Sequence, residues 1–373
     1  MNVYVVNFPA SETGSRAAVI PTSNLLNILS QLAEHISIIT GGYSKKLLLE
    51  SVQSEIQIIA VHHETGSTQY RRAINYIHTQ LRIGRIILDF RSNIDILIFF
   101  MMGQDLIIPM LAAKLFGKKV VLFLALSSEL SSKSKNDPFI APLSVISKIN
   151  YYFSDFIVLY SQKLVGEWDL INHKDKILIA REHFLNFKLF YINKSLSKRD
   201  ILVGYIGRLS EEKGLPNFIK SIQEISAKVS CAEFLIVGDG HLRVEIENYL
   251  ISKNLINNVK LTGWIPHDEL AEYLNQLKLL VLPSYTEGLP NIMLEAMACG
   301  TPVLATPVGA IPDIIKDGET GFLMENNSPE CIAANVIRAL EHPDLEGVAD
   351  RARVLVEQEF TFEKAVERWR AIL

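Results

Sequence analysis

Two carboxylates stand eight positions apart in SYTEGLPNIMLEAMACGTPVLA, residues 284–305: Glu287 before an expected helix start, and Glu295 inside the apolar run. A carboxylate only accepts hydrogen bonds and can take two adjacent hydroxyls at once, as the vicinal diols of sugars and ribose require. A buried carboxylate without a partner is costly, which favours a ligand role most strongly for Glu295. For either residue alone, the alternative is a capping acid or an exposed helical acid.

The residues between these acids predict an anion site. We expect Pro290 at the first helical position, where the missing N–H of proline costs nothing. The free N–H groups of the first turn, with those of Gly288 and Leu289, would then face outward at the positive end of the helix dipole. Gly288 also allows a ligand to approach the backbone closely.

A second loop, in VGYIGRLSEEKGLPNF (203–218), carries two cations. An expected strand over 201–206 ends before Gly207, and a helix is expected from Leu215. Arg208 would offer a fork of donors and Lys213 a point charge, a combination suited to a diphosphate. Taken alone, this pattern also fits a solvated loop. Taken with the two acids, it predicts a nucleoside diphosphate sugar as the ligand.

The chain alternates short apolar strands with amphipathic helices, which predicts βαβ units and parallel sheets. Its 373 residues are about right for two domains, and we predict two doubly wound α/β domains joined by an irregular linker over 181–200. Ligands of such sheets bind outside the carboxyl ends of the strands.

Composition places the chain among globular proteins, with 49% hydrophobic and 21% charged residues. The three cysteines form no CxxC pair, which favours a reducing compartment. The start, MNVYVVNFPASE, is typical of a strand rather than a signal peptide. The most apolar region, 94–113, is interrupted by charged residues, Gly and Pro, so we expect no membrane-spanning helix and a cytoplasmic protein.

Charge is unevenly distributed. Residues 1–190 carry 19 Lys and Arg against 15 Asp and Glu, while the whole chain has a net charge of −4. Basic residues occur in KLFGKKVV (114–121), at Lys45-Lys46 and, beside aromatic residues, over 131–153. One hypothesis is peripheral contact between this basic first domain and an anionic membrane. The alternative is a core helix over 139–153 whose lysines are solvated.

Two segments, GYIGRLSEEKG (204–214) and SYTEGLPNIMLEAMACGTPVLATPVGAIPDIIKDGETGFLM (284–324), resemble glycosyltransferase family 4. These are retaining, nucleotide-sugar-dependent enzymes of the GT-B fold. The acids at 287 and 295 match the E-x7-E pair of that family, and the cations at 208 and 213 match its phosphate-binding Arg and Lys. Residues that match the family's motifs are closely spaced over roughly 201–330. Before residue 200, only the general pattern of the sequence is similar.

The resemblance implies a GT-B architecture: two Rossmann-like α/β domains facing across a cleft, with the C-terminal helix crossing back to the first domain. The first, acceptor-side domain would comprise residues 1–185 plus 358–373. The second, nucleotide-sugar-binding domain would comprise 186–357.

The resemblance also implies residue roles. Arg208 and Lys213 would bind the diphosphate and neutralise the leaving group. Glu287 would hold hydroxyls of the sugar, and Glu295 those of the ribose. The expected catalytic residues are Glu287, Arg208 and Lys213. The remaining donor-binding residues would be Ile265 beside the base, in the turn TGWIP (262–266), and the loop residues Gly288, Leu289, Pro290 and Asn291, three of which (288, 289 and 291) would contact the donor through backbone N–H groups.

The first domain departs from the family pattern in three places. The loop PASETGSR (9–16) has a single Gly14, and we assign Gly14 and Arg16 to the acceptor side. The strand over 119–126 ends in Ala-Leu where many members carry a His that reaches the donor sugar, a role for which His183 or Glu129 could substitute. The linker has REHFLN where many members have Asn-Gly-Val-Asp.

Other chemistries have little support in the sequence. VGDGHLR (237–243) has Arg243 in place of the third glycine of a dinucleotide fingerprint, and no acid stands at the expected place at the end of a following strand. The sequence has no DxD, HExxH or His/Cys cluster, so we expect neither a metal requirement nor a cofactor. No basic stripe with interleaved aromatics indicates nucleic-acid binding.

Together with the resemblance, the site predicts a retaining, metal-independent glycosyltransferase. It would move a hexose-type sugar from a UDP-, GDP- or ADP-sugar to a glycan or lipid-linked acceptor, in the cytoplasm or at the inner face of the membrane. Two alternatives stay open. A GT-B nucleotide-sugar epimerase would need acid–base groups on the first domain, and a nucleotide-sugar-binding protein would have lost catalysis.

Overall fold

The computed structural model describes residues 1–8, 19–52, 55–64, 66–125 and 140–373. These form two compact units, one built from residues 1–184 together with 362–373, and the other from 185–361.

The first unit is built on a seven-stranded parallel sheet of order β3-β2-β1-β4-β5-β6-β7. Its strands are β1 (Asn2–Asn7), β2 (His35–Gly41), β3 (Gln57–Val61), β4 (Ile96–Phe100), β5 (Lys119–Leu124), β6 (Phe156–Leu159) and β7 (Ile177–Ile179). Its helices are α1 (Ile20–Leu29), α2 (Gly42–Ser51), α3 (Gln69–Asp89), α4 (Ile107–Leu115), α5 (Ile140–Phe153), α6 (Leu164–Glu167) and, at the C-terminal end of the chain, α14 (Phe362–Arg370).

The central strand β4 is apolar and buried throughout, and so is β5 after its first residue, Lys119, as expected of a parallel sheet that is covered on both faces. Phe100 and Phe123 stack with ring centroids 4.7 Å apart. Trp369 of α14 completes this cluster, with its ring 5.2 Å from that of Phe123 and fully buried. The last helix therefore belongs to the core of the first unit, as the return crossing predicts.

The second unit contains a six-stranded parallel sheet of order β10-β9-β8-β11-β12-β13. Its strands are β8 (Leu202–Ile206), β9 (Glu233–Val237), β10 (Val259–Gly263), β11 (Leu279–Leu282), β12 (Val303–Ala305) and β13 (Phe322–Leu323). Its helices are α7 (Leu215–Lys228), α8 (Arg243–Ser252), α9 (Leu270–Leu274), α10 (Asn291–Ala298), α11 (Ile311–Ile314), α12 (Pro329–Leu340) and α13 (Leu345–Glu359).

These two doubly wound sheets confirm the predicted fold class, while three helices differ from the sequence prediction. The apolar pattern of the sequence predicts a helix near 162–171 and no helix at α2 or α13. The first of these is confined to α6, because the chain turns at Asp169, whose φ is +54°, and continues as a short 3-10 helix.

The segment predicted as an irregular linker is tied firmly to the second unit by Arg199. This guanidinium is buried and donates to the backbone carbonyls of Lys194, Leu277 and Cys299 at 2.7–3.0 Å and to the Thr301 hydroxyl at 2.7 Å. Burial lowers the pKa of Arg199 to about 10, so the side chain stays charged at neutral pH and its donors must be satisfied.

Candidate functional site

The candidate site lies at the carboxyl ends of β8 and β11, the neighbouring strands at which the order of the second sheet reverses. The loop after β8 ends at Gly214, whose φ is +68°. A β-carbon there would overlap the Pro283 carbonyl, so only glycine lets the two loops meet. The Tyr285 N–H donates to the Glu212 carbonyl at 3.0 Å and joins them directly.

Lys213 and Glu287, two of the predicted site residues, form an ion pair across these loops. The Lys213 ammonium lies 2.7 Å from Glu287 Oε1, and the Ser284 hydroxyl donates to the same oxygen at 2.7 Å. The Glu287 side chain is only 9% exposed, and so the cation and the hydroxyl together balance a nearly buried carboxylate. Ser284 was not predicted as a site residue, although its place three residues before the acid was a usable signal.

Arg208 is more exposed than Lys213, the other predicted cation of the site. Its side chain is 68% exposed and lies 3.5 Å from Glu212 Oε1. The buried Tyr205 hydroxyl donates to the Arg208 carbonyl at 2.7 Å and so fixes the backbone from which the guanidinium projects. An exposed, weakly paired guanidinium on a fixed backbone is free to engage an anionic ligand.

The start of α10 differs from the prediction by one residue. Pro290 is the N-cap rather than the first helical residue, with φ −74° and ψ 120°, and α10 begins at Asn291. The ring of proline fixes φ but leaves ψ open, so an extended Pro290 precedes the helix and its carbonyl accepts from Met293 N–H at 3.1 Å. Since proline has no side-chain acceptor, no cap of that kind covers the first turn.

The loop of Gly288 is held in place from the neighbouring strand. The Ala310 N–H, in the turn after β12, donates to the Gly288 carbonyl at 2.8 Å. Gly309, with φ +58°, packs so closely beneath this loop that a β-carbon would overlap the carbonyls of Glu287 and Gly288. Leu289 is buried in the same loop. The position of the catalytic candidate Glu287 thus depends on the turn after β12, in addition to the loops after β8 and β11.

Glu295 is buried on α10 and has a partner that the sequence reasoning missed. His267 Nε2 lies 2.7 Å from Glu295 Oε1, with the His267 side chain 47% exposed and that of Glu295 7% exposed. The hydrogen bond with Glu295 raises the pKa of His267 above its usual value, against the opposing effect of burial. The available signal was position: His267 follows the turn TGWIP at two residues from Ile265, the predicted base contact.

The paired glycines of 237–243 have structural roles. A β-carbon at Gly238 would overlap the Gly207 carbonyl, and one at Gly240 would overlap that of Leu209. These glycines therefore let the loops after β8 and β9 pack backbone to backbone, which accounts for the pattern without a dinucleotide.

Three predicted positions of the first domain lie outside the described residues: Gly14, Arg16 and Glu129. The same is true of residues 131–139 of the basic segment. His183 is described, and it is buried with its ring 5.1 Å from that of Tyr160. Beside it, Glu182 accepts a 2.7 Å hydrogen bond from the Tyr160 hydroxyl, and burial raises the pKa of Glu182 to about 8. This burial leaves the His183 ring almost no surface for direct contact with a sugar.

In the part of the chain that the structure describes, no three His, Cys, Asp or Glu side chains are grouped as ligands of one metal ion. Within the same residues, no helix has both the length and the apolar character needed to cross a bilayer.

Comparisons with known proteins find similarity to glycosyltransferases. Residues 188–354 match the family model described as glycosyl transferases group 1. The chain is 28% identical over 222 residues to the uncharacterized glycosyltransferase MJ1178 of Methanocaldococcus jannaschii, an alignment that spans 57% of each protein. It is 26% identical over 291 residues to N-acetyl-alpha-D-glucosaminyl L-malate synthase of Bacillus anthracis, spanning 76% of this chain and 75% of that protein.

Among solved structures, Anabaena Alr3699/HepE in complex with UDP matches with a TM-score of 0.78 at 15% identity, over 100% of this chain and 99% of that one. This structural likeness supports the GT-B fold. The family match, which lies within the second unit, and the names of the relatives support a glycosyltransferase.

Proposed function

We propose that the protein is a retaining, metal-independent glycosyltransferase of the family 4 type that transfers a hexose-type sugar from a nucleotide sugar. The observation that carries this proposal is the Lys213–Glu287 pair at the reversal of the second sheet, next to the uncapped start of α10. It combines a cation for phosphate, an acceptor for hydroxyls and a helix N-terminus in one unit.

In the proposed reaction, Arg208 and Lys213 bind the diphosphate and offset the charge that develops on it as the bond to the sugar breaks. Glu287 accepts hydrogen bonds from sugar hydroxyls. Lys213 and Ser284 orient the Glu287 carboxylate for this role, because both donate to its Oε1 atom. The acceptor hydroxyl attacks the same face that the diphosphate leaves, and a phosphate oxygen takes its proton. The acceptor is a glycan or a lipid-linked molecule.

The nucleotide is proposed to be UDP, GDP or ADP, with UDP tested first. UDP is bound in the Anabaena structure of the same fold. The Bacillus anthracis relative is named for transfer of an N-acetylglucosaminyl group, which is a hexose-type sugar.

A donor screen with an added chelator tests this function. A thermal-shift series with UDP-, GDP- and ADP-glucose is expected to show stabilisation by one donor, followed by slow hydrolysis that keeps the anomeric configuration in NMR spectra. Turnover is expected to persist in excess EDTA, because the cations that replace Mg²⁺ are part of the chain. Loss on chelation that Mg²⁺ restores would contradict metal independence. Epimerisation of the donor without transfer would indicate a nucleotide-sugar epimerase. Donor binding without any turnover would indicate a nucleotide-sugar-binding protein.

The finer part of the proposal places the protein in the cytoplasm at the inner face of the membrane. Helices α4 and α5 pack together and leave large apolar side chains exposed, with Leu115 at 79% and Tyr152 at 75%. Lys148 is exposed on the same helix as Tyr152. Apolar side chains beside cations suit an anionic bilayer, where each basic residue contributes about 1 kcal/mol.

Replacing both Leu115 and Tyr152 by serine is expected to abolish co-sedimentation with vesicles that contain phosphatidylglycerol, because the apolar anchors are lost while the charge is kept. The matched control is Val354→Ser, at an exposed apolar position of the second unit, which should sediment as the unchanged protein does. No sedimentation of the unchanged protein at low salt, or equal sedimentation of the double variant, would argue for a soluble acceptor instead.

A further inference from the structure

His267 lies outside the roles assigned so far, although it contacts the second acid of the site. We propose that His267 is a positioning residue for nucleotide binding, which holds the Glu295 carboxylate in place and balances its charge. This inference rests on the proposed function, because it takes the ribose as the ligand of Glu295.

The hydrogen bond defines which nitrogen of His267 carries a proton. An ionised carboxylate only accepts, so at 2.7 Å from Glu295 Oε1 the Nε2 atom must be the donor. This is true of the neutral ring and of the charged ring alike. The bond therefore persists across neutral pH, and it occupies Oε1 while Oε2 remains the other acceptor for a ribose hydroxyl.

A second contact fixes the orientation of the imidazole. The buried ring of Phe190 meets it edge-on, with centroids 5.4 Å apart. The Phe190 carbonyl in turn accepts a 3.0 Å hydrogen bond from Arg353 of α13. His267 is thus held by Glu295 and by Phe190, while nearly half of its side chain stays exposed. It can therefore orient Glu295 without closing the site to a ligand.

The charges around the pair decide how it responds to pH. Asp268 is next to His267 and favours the charged ring, as Glu295 does. On the other side of Glu295, Cys299 remains a neutral thiol because burial raises its pKa to about 12, and the cations Arg199 and Arg353 act on that thiol. Below the raised pKa of His267 the pair with Glu295 is neutral, and above it the pair carries a net negative charge.

The sign of the pH effect follows from this charge. Because the pKa of His267 in the folded protein lies above the usual value of 6.5, the stabilisation by the charged pair is complete below 6.5. It is lost as the pH rises through the folded-state pKa. A diphosphate is repelled by the negative pair, so donor affinity should fall by about threefold over this rise.

The test measures UDP-glucose binding by calorimetry at about pH 6 and about pH 8.5, a range in which the diphosphate diester does not titrate. His267→Ala is expected to weaken binding by about tenfold, because the buried carboxylate loses its donor. In steady-state kinetics of the same variant, KM should rise while kcat stays nearly unchanged. His267→Gln can still donate to Glu295, so it should recover most of the affinity but lose the dependence on pH. His342→Ala is the matched control, since that ring also meets a buried phenylalanine, at 5.3 Å, and it should bind normally.

Several outcomes would overturn the inference. An alanine variant that binds as tightly as the unchanged protein, or more tightly, would show that His267 does not position the acid. If His267→Gln keeps the full pH dependence, that dependence arises from a group other than His267. If UDP-, GDP- and ADP-glucose all fail to bind the unchanged protein, the proposed function fails as well. An NMR titration then still tells whether the pair exists, because the pKa of His267 should return toward 6.5 in Glu295→Gln.

Discussion

Replacing Lys213 by alanine is expected to lower kcat/KM for sugar transfer at least tenfold while the fold stays intact. A charge-assisted hydrogen bond contributes about 1.5–3 kcal/mol, and about 1.4 kcal/mol corresponds to a factor of ten in rate. The same substitution removes the cation that lies 2.7 Å from the nearly buried Glu287, so the carboxylate should also lose its defined position. Arg208→Ala is expected to cause a separate loss of similar size.

Steady-state kinetics with the donor identified by the screen check this result. Lys228→Ala is the matched control, since Lys228 is an exposed lysine of the same unit whose ammonium lies 3.1 Å from Glu224 one helical turn away. Exposed pairs of that kind contribute little, and so its kcat/KM should be unchanged. Near-normal kcat/KM in the variant that lacks both Arg208 and Lys213 would refute the assignment of these residues to the diphosphate.

Gly309→Ala is expected to disable the site without touching any proposed ligand contact. The new β-carbon would overlap the carbonyls of Glu287 and Gly288 and would sit on a backbone with φ +58°. Overpacking and left-handed strain together should cost about 2–4 kcal/mol of unfolding free energy. Moving the Glu287 loop by an ångström should lower kcat/KM by about a hundredfold.

Gly318→Ala separates these two causes. Gly318 has a similar φ of +73°, but a β-carbon there would meet only His342 Nε2 at 3.9 Å. This variant should show the backbone strain alone, about 1 kcal/mol, with nearly unchanged kinetics. Denaturant unfolding and kcat/KM measured on both variants decide the matter. If Gly309→Ala behaves like Gly318→Ala, the packing beneath the loop does not position Glu287.

The sequence predicted the sheets and the two site loops because the signals for them are local. Apolar strands are buried on both faces, and the run from Glu287 to Glu295 carries its glycine, its proline and its acids within one short segment. Helix α13 was not predicted, because its apolar stripe is weak. Its buried face includes small side chains, among them Ala349 and Ala352.

The contacts that complete the site could not be predicted in this way. The bond between His267 and Glu295 joins residues 28 positions apart, and the ring beneath His267 comes from Phe190, in a segment that showed no period. Likewise, the sequence analysis assigned no role to Gly309, which packs against a loop that follows another strand. Such pairings depend on how the strand ends converge, which becomes visible only in three dimensions.

The discontinuity of the first unit bears on the order in which the chain can fold during synthesis. Its core includes Trp369 from α14, which leaves the ribosome after the whole of residues 185–361. The second unit is continuous in sequence and can close as soon as it has emerged, whereas the first must wait with Phe123 incompletely covered. Nascent domains usually mature from the N-terminus onward. Here the second unit is free to mature first, because the aromatic cluster of the first unit cannot close before α14 has been made.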